Sequence, residues 1–332
     1  MKKTTALLAL LMLVGALAGC GKQNDTNKTD KLSIVTTIFP EYDWVRAVLG
    51  DKADNAEVTM LLDNGIDLHS YQPTADDIVK ISDCDLFLYV GGESDGWVDD
   101  ALKNATNKNM KVINLLDVLG DSVKTEEVVE GMQETEHDHD HDHSKEVSTF
   151  EDEEEKDEHV WLSLKNAEVL VNAISKSLQE LDPDNKDTYA ANAAAYIEKL
   201  SALDGEYQAA VDAATYKTVV FGDRFPFRYL VDDYGLRYYA AFVGCSAETE
   251  ASFETVSFLA KKVDELKLPC VLTIEGAQHK IAETIVQNTA EKNQKVLTMD
   301  SLQSTSSKDV ANGTTYLSVM EKNLSVLKEA LG

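Results

Sequence analysis

Four of the seven histidines of this chain fall in one run, His137-Asp138-His139-Asp140-His141-Asp142-His143, alternating with carboxylates. Neutral imidazole is the commonest side-chain ligand for zinc and its neighbours, and Asp adds oxygen donors. The flanks, Glu134-Thr135-Glu136 and residues 151–158, are acidic and poor in apolar groups. Such a segment cannot bury enough surface to offset the entropy of ordering. The composition therefore predicts a mobile loop that collects divalent cations through His137, His139, His141 and His143.

The other histidines are His69, His159 and His279. A lone His is usually a satisfied structural residue, and context raises two of these. His69 lies in Asp67-Leu68-His69-Ser70-Tyr71-Gln72-Pro73-Thr74, a turn from a strand into a helix. Ligands of open α/β sheets sit outside the carboxyl ends of strands, where this loop falls. His159 lies in Asp157-Glu158-His159-Val160-Trp161-Leu162, between the acidic tract and a long helical pattern.

The elements that must position these residues alternate. Strand-like runs cover residues 33–37, 58–62, 85–90 and 111–115, with helical spacing at 41–49 (closed by Gly50), from 73 onward and over 96–102. Residues 164–181 form an amphipathic helix that stops at Asp182-Pro183-Asp184. Residues 186–214 continue as an Ala-rich helix without Pro, roughly 40 Å long at 1.5 Å per residue. Strands follow at 218–221, 236–242, 271–274 and 295–299, with helices at 252–266 and 280–289. The pattern predicts two doubly wound α/β lobes joined by a long rigid helix. The boundaries are an N-terminal lobe at 32–163 containing the loop 121–158, a helical region at 164–214 and a C-terminal lobe at 215–332.

The first residues read as an address. Lys2-Lys3 precedes an apolar run at 6–18 that is too short to span a bilayer comfortably and ends in Leu17-Ala18-Gly19-Cys20. That ending resembles a bacterial lipobox, which implies lipidation of Cys20 and anchoring on the extracytoplasmic face of the cell membrane, with residues 21–31 as a polar tether. A formal charge of −28 over 332 residues argues against nucleic acid and anionic lipid as binding surfaces. Beyond Cys20 remain Cys84, Cys245 and Cys270, an odd number with no CxxC spacing; Cys84 and Cys270 fall in apolar runs and read as buried free thiols.

At His69 and His159 the chain resembles the zinc- and manganese-binding solute-binding lipoproteins of bacterial ABC importers. Their first His follows Asp-Pro and precedes x-Tyr-x-Pro-Thr; here only Leu68 departs. Their second motif is Asp-Pro-His-x-Trp-Leu, and again only the Pro is missing. The His-rich loop is typical of the zinc members, and Gly91-Gly92-Glu93-Ser94-Asp95-Gly96-Trp97-Val98 is similar to their Gly-rich turn before a Trp-containing helix. The resemblance implies a metal site in the cleft between the lobes, with ligands His69, His159, a third His or Glu, and a late Asp. Asp300, in Val296-Leu297-Thr298-Met299-Asp300-Ser301-Leu302, matches the last.

The third ligand departs from the pattern. Where the family has His-x-x-Phe-x-Tyr, this chain has Gly222-Asp223-Arg224-Phe225-Pro226-Phe227-Arg228-Tyr229. Counting back from Phe227 and Tyr229 puts Arg224 in the His position, where a guanidinium has no lone pair to offer; counting forward from the strand puts Asp223 there, with one residue inserted before Phe227. Asp223 is the chemical choice, with Glu275, Glu248 and His279 as other candidates near strand ends. The expected function is a non-enzymatic receptor that binds zinc and delivers it to the membrane permease and cytoplasmic ATPase of an importer, acting as a monomer. Replacing His by Asp moves the site toward manganese, while the His tract pulls back toward zinc. A surface adhesin or metal buffer is an alternative. A zinc hydrolase is a weaker one, since the chain has no HExxH.

Overall fold

The computed structural model describes residues 31–133, 155–246, 250–276 and 279–332. Cys20, the His tract 137–143 and Glu248 lie outside the described residues.

Short β-branched and aliphatic runs, each followed by a helix, pair here in parallel, the helices serving as the crossovers that parallel pairing needs. In the first half these are β1 (Leu32–Thr36), α1 (Phe39–Leu49), β2 (Ala56–Met60), α2 (Ala75–Asp83), β3 (Leu86–Tyr89), α3 (Val98–Lys103), β4 (Lys111–Asn114) and α4 (Leu115–Leu119). The strands form a parallel sheet in the order β2-β1-β3-β4. After two long helices, α5 (Leu164–Leu181) and α6 (Lys186–Ala213), the theme recurs. It comprises β5 (Thr218–Phe225), α7 (Arg228–Tyr234), β6 (Arg237–Val243), α8 (Phe253–Leu266), β7 (Cys270–Ile274), α9 (Lys280–Asn288), β8 (Lys295–Met299), α10 (Ser307–Ala311) and α11 (Tyr316–Leu331). The second parallel sheet has the order β6-β5-β7-β8, the same winding as the first.

The long helices tie the halves together. Ser163 caps α5 by accepting from the Asn166 amide at 3.1 Å, and α5 buries Leu164, Ala167, Leu170, Val171, Ile174 and Leu178 on one face. In α6 the buried residues Tyr189, Ala193, Tyr196, Leu200, Leu203, Tyr207 and Val211 recur mostly at alternating spacings of four and three. That is a narrow packing seam on an otherwise solvated rod. At 28 residues α6 is roughly 42 Å long. Asn192 donates to Val48 O at the end of α1 (3.0 Å), and the Tyr207 hydroxyl donates to Met320 O in α11 (2.7 Å). A single buried cluster accordingly includes Ile34 and Phe87 from the first sheet, Phe221 and Leu272 from the second, and Trp161 and Tyr316.

Three differences from the sequence expectation matter for the site. β5 runs on to Phe225, because its pairing with β6 shifts register between Phe221 and Arg224. This bulge takes up one extra residue of β5 relative to β6. The short helices α4 and α7 escaped the sequence reading because each offers less than two full turns of periodicity. Finally, the root of the acidic loop is ordered: Thr125 and Lys156 form an antiparallel bridge, and the Gln133 amide donates to Ala241 O in the edge strand β6 (2.9 Å). A segment assigned by sequence to the first lobe thus lies against the second sheet.

Candidate metal centre

His69 is delivered by a single 3-10 turn, Leu68–Ser70, beyond the carboxyl end of β2. Asp67 nucleates that turn by accepting from the His69 amide at 3.0 Å. His159 precedes a second such turn, Val160–Leu162, and Asp157 repeats the device, accepting from the His159 amide at 2.9 Å. Trp161 and Tyr316 pin this segment: Trp161 Nε1 donates to Ser301 O (2.9 Å), and the Tyr316 hydroxyl donates to Trp161 O (2.7 Å). The Tyr229 hydroxyl, the last residue of the departed motif, donates to Asp157 O at 2.8 Å. That Tyr supports a ligand segment and lies within the fully formed core.

The two imidazoles face each other, Nε2 to Nε2, at 3.2 Å. A tetrahedral zinc with Zn–N bonds near 2.05 Å needs an N···N edge of roughly 3.3 Å, so the pair is already spaced for shared coordination. The far nitrogens are held. His159 Nδ1 lies 2.9 Å from Asp157 Oδ1, and His69 Nδ1 lies 2.8 Å from Ser94 Oγ and 3.5 Å from Glu158 Oε2. With both Nδ1 atoms engaged, the two Nε2 atoms are the ones left to share an ion. Carboxylate or hydroxyl support of this kind is what orients metal-binding histidines. Burial, together with His159 and Arg224, lowers the His69 pKa to about 3, so the imidazole is neutral and available at physiological pH.

Two loops are moulded around the pair. The Gly-rich turn that sequence singled out sits under Glu158. Gly92 has φ +85°, and a Cβ there would meet Glu158 Oε1 at 2.4 Å. The turn's Ser94 amide donates to the same oxygen at 2.8 Å. On the other side, Gly244 lies so close to His159 that a Cβ would fall 2.9 Å from the ring Cε1. The next residue, Cys245, completes a cluster: ligand atoms of His69, His159 and Cys245 all lie within 4.8 Å of one another. Sequence reasoning missed Cys245. The available signal was its place in a Gly-Cys-Ser turn just past a strand end, the same kind of position that drew attention to His69.

The expected oxygen ligands are hydrogen-bonded to neighbouring groups. Asp223 Oδ2 accepts from Thr273 Oγ1 (2.6 Å) and the Ile274 amide (3.4 Å), and its Oδ1 accepts from the Arg224 amide (3.0 Å). Arg224 pairs with Asp67 across the two halves. Burial alone would raise the Asp67 carboxyl, but Arg224 and His69 outweigh it and hold it low. Asp300 caps its own turn by accepting from the Leu302 amide at 2.8 Å, and burial next to Glu275 pushes it up to about 6. Glu275 itself accepts from the Ser301 amide (2.7 Å) and hydroxyl (2.6 Å), while His279 Nδ1 lies 3.3 Å from Thr273 Oγ1. Neither Asp223 nor Asp300 belongs to the His69–His159–Cys245 cluster. The Asp300 loop nevertheless reaches it. With the Gln303 amide nitrogen turned to Asp67 (3.1 and 3.2 Å), its oxygen is 3.1 Å from His159 Nε2.

Near the site three buried carboxylates each keep one oxygen without a hydrogen bond: Glu158 Oε2, whose neighbour is His69 Nδ1 at 3.5 Å, Asp95 Oδ1 and Glu41 Oε1. Burial, with Glu158 nearby, raises Asp95 to about 7, and burial with Asp95 nearby raises Glu41 to about 8. Among the described residues no helix is long and apolar enough to cross a membrane.

The chain is 36% identical over 329 residues to the zinc-binding lipoprotein AdcA of Streptococcus pneumoniae, covering 99% of this chain and 61% of that protein, so it spans about three fifths of the length of this relative. It is 31% identical over 334 residues to the high-affinity zinc uptake system protein ZnuA of Bacillus subtilis, covering 99% and 98% of the two chains. Its fold matches the crystal structure of the Zn(II)-bound ZnuA-like domain of the pneumococcal AdcA with a TM-score of 0.68 and 33% identity, over 91% of this chain and 99% of that one. Residues 34–330 match the family described as zinc-uptake complex component A, periplasmic. The chain belongs to the ZnuA family.

Proposed function

We propose that this protein is an extracytoplasmic zinc receptor that loads one ion at His69 and His159 and delivers it to the membrane permease and cytoplasmic ATPase of an ABC importer. The observation that carries the reading is the facing pair of Nε2 atoms, 3.2 Å apart, each ring fixed through its other nitrogen. Relatives named as zinc-binding and zinc-uptake proteins support it, one of them matched along almost its whole length. The family is a component of an uptake complex, so the reading is of a carrier and not of an enzyme. The lipobox-like Leu17-Ala18-Gly19-Cys20, together with relatives called lipoproteins, supports anchoring through Cys20.

Within this reading the first half supplies His69, the segment leading into α5 supplies His159, and Asp300 from the second half supplies an oxygen ligand once a cation neutralises the site. Asp223 is left out of the ligand set, because both of its oxygens are already used within its own sheet. The tract at 137–143 gathers ions weakly, outside the tight site. The test is zinc stoichiometry and affinity by competition with a chromophoric chelator. Wild type should hold one tight equivalent; His69→Ala and His159→Ala should each lose it. Tight binding unchanged in both variants would refute the assignment.

A further inference from the structure

We propose that Cys245 Sγ is the third ligand of the cation held by His69 and His159, and that it biases the site toward thiophilic cations, zinc and cadmium, over manganese. The inference rests on the receptor reading above and deepens it.

Geometry comes first. The three ligand atoms lie within 4.8 Å of one another. A tetrahedral site with Zn–S near 2.3 Å and Zn–N near 2.05 Å needs S···N edges of roughly 3.6 Å. The observed separations exceed those edges by no more than roughly 1 Å. The Cys245 backbone is fixed from both sides. The Cys245 amide donates to Glu126 Oε1 at 3.0 Å, and Gly244 abuts the His159 ring. Cys245 also follows the carboxyl end of β6, so it brings a donor from the second sheet to a pair supplied from outside it.

Chemistry excludes the alternatives at this corner. Arg224, in the family's His position when counted back from Phe227 and Tyr229, is permanently protonated and engaged with Asp67. Asp223 is hydrogen-bonded through both oxygens. Around the thiol stand Glu126, Glu158 and Asp157, which with burial keep it protonated in the absence of a cation. The same carboxylates attract the divalent ion that reverses this preference. On binding, the S–H bond is replaced by a metal–sulfur bond and the proton passes to water. A thiolate is a soft ligand that suits zinc, whereas manganese prefers carboxylate, carbonyl and water oxygens.

Cobalt(II) is the probe. One equivalent added to the full-length chain should give a near-ultraviolet thiolate-to-cobalt charge-transfer band. Cys245→Ser and Cys245→Ala should abolish the band while the visible ligand-field bands of histidine-bound cobalt persist. Supporting groups around metal-bound histidines are worth ~10–100-fold in affinity, so loss of a direct ligand should weaken zinc by at least ~10-fold. Manganese affinity should change far less, lowering the zinc-to-manganese ratio. Cobalt bound without a charge-transfer band, or a band that survives in Cys245→Ser, would overturn the assignment of Cys245 and leave the receptor reading intact. A wild-type chain that binds neither zinc nor cobalt tightly would overturn both.

Discussion

Asp157 offers the sharpest test of how the site is held. One oxygen, Oδ1, lies 2.9 Å from both the His159 amide and His159 Nδ1, and the side chain is only 3% exposed. Removing it with Asp157→Ala frees the ring to take the other tautomer, with a proton on Nε2 pointing at the metal. A hydrogen bond to a charged group is worth about 1.5–3 kcal/mol net. At 1.36 kcal/mol per decade, that spans roughly one to two decades in affinity, in line with the ~10–100-fold measured for supporting groups at other metal sites. Zinc affinity in Asp157→Ala should therefore fall ~10–100-fold with stoichiometry unchanged. The apo-protein should also lose about 1–3 kcal/mol of stability, because the buried His159 amide is left without its acceptor. Asp157→Asn keeps an acceptor of the same shape without the charge, and its loss should be smaller. The assay is chelator competition, with circular dichroism and thermal melts to confirm folding. A folded Asp157→Ala protein whose zinc affinity stays within about threefold of wild type would refute this account, since about 0.65 kcal/mol is the most such a ratio allows.

Asp300→Ala should weaken zinc measurably in the same assay, whereas Asp223→Ala should leave affinity nearly unchanged and instead lower thermal stability through its lost bond to Thr273; the reverse ranking would restore Asp223 to the ligand set. Deleting residues 136–144 should remove weak zinc equivalents and keep the tight one. The weak equivalents should be lost as pH falls below about 6.5, where free imidazoles protonate; equilibrium dialysis across pH reads both effects. Glu41, raised to about 8 against 4.5 when unfolded, binds its proton more tightly in the folded chain, so its contribution to stability is complete below about pH 4.5 and declines as pH rises to about 8. Glu41→Gln should flatten that decline and gain up to about 5 kcal/mol over wild type at pH 8 and above; parallel pH profiles for the two proteins in urea melts would contradict it.

Much of this molecule was legible in one sequence, for identifiable reasons. Periodicity marks strands and helices when they are long enough to repeat, so α5 was read to its last residue and α6 to within one. The stretches around His69 and His159 could be found because their motif residues are contiguous along the chain, each opening with an Asp whose side chain accepts from the His amide two residues on. What joins residues far apart along the chain was not legible. No spacing rule brings His69 to His159 across 90 residues, or Cys245 to both; that meeting depends on how two sheets pack around Trp161 and Tyr316. The third ligand shows the limit most clearly. Sequence could state that Arg224 cannot coordinate and that a carboxylate stood beside it. Only the tertiary structure shows the bulge in β5 and turns Asp223 toward Thr273, while the strap from the acidic loop holds a cysteine against the histidines. A side chain's chemistry is set by its type, but which atoms it faces is set by packing between distant elements, and that information enters only when the chain closes on itself.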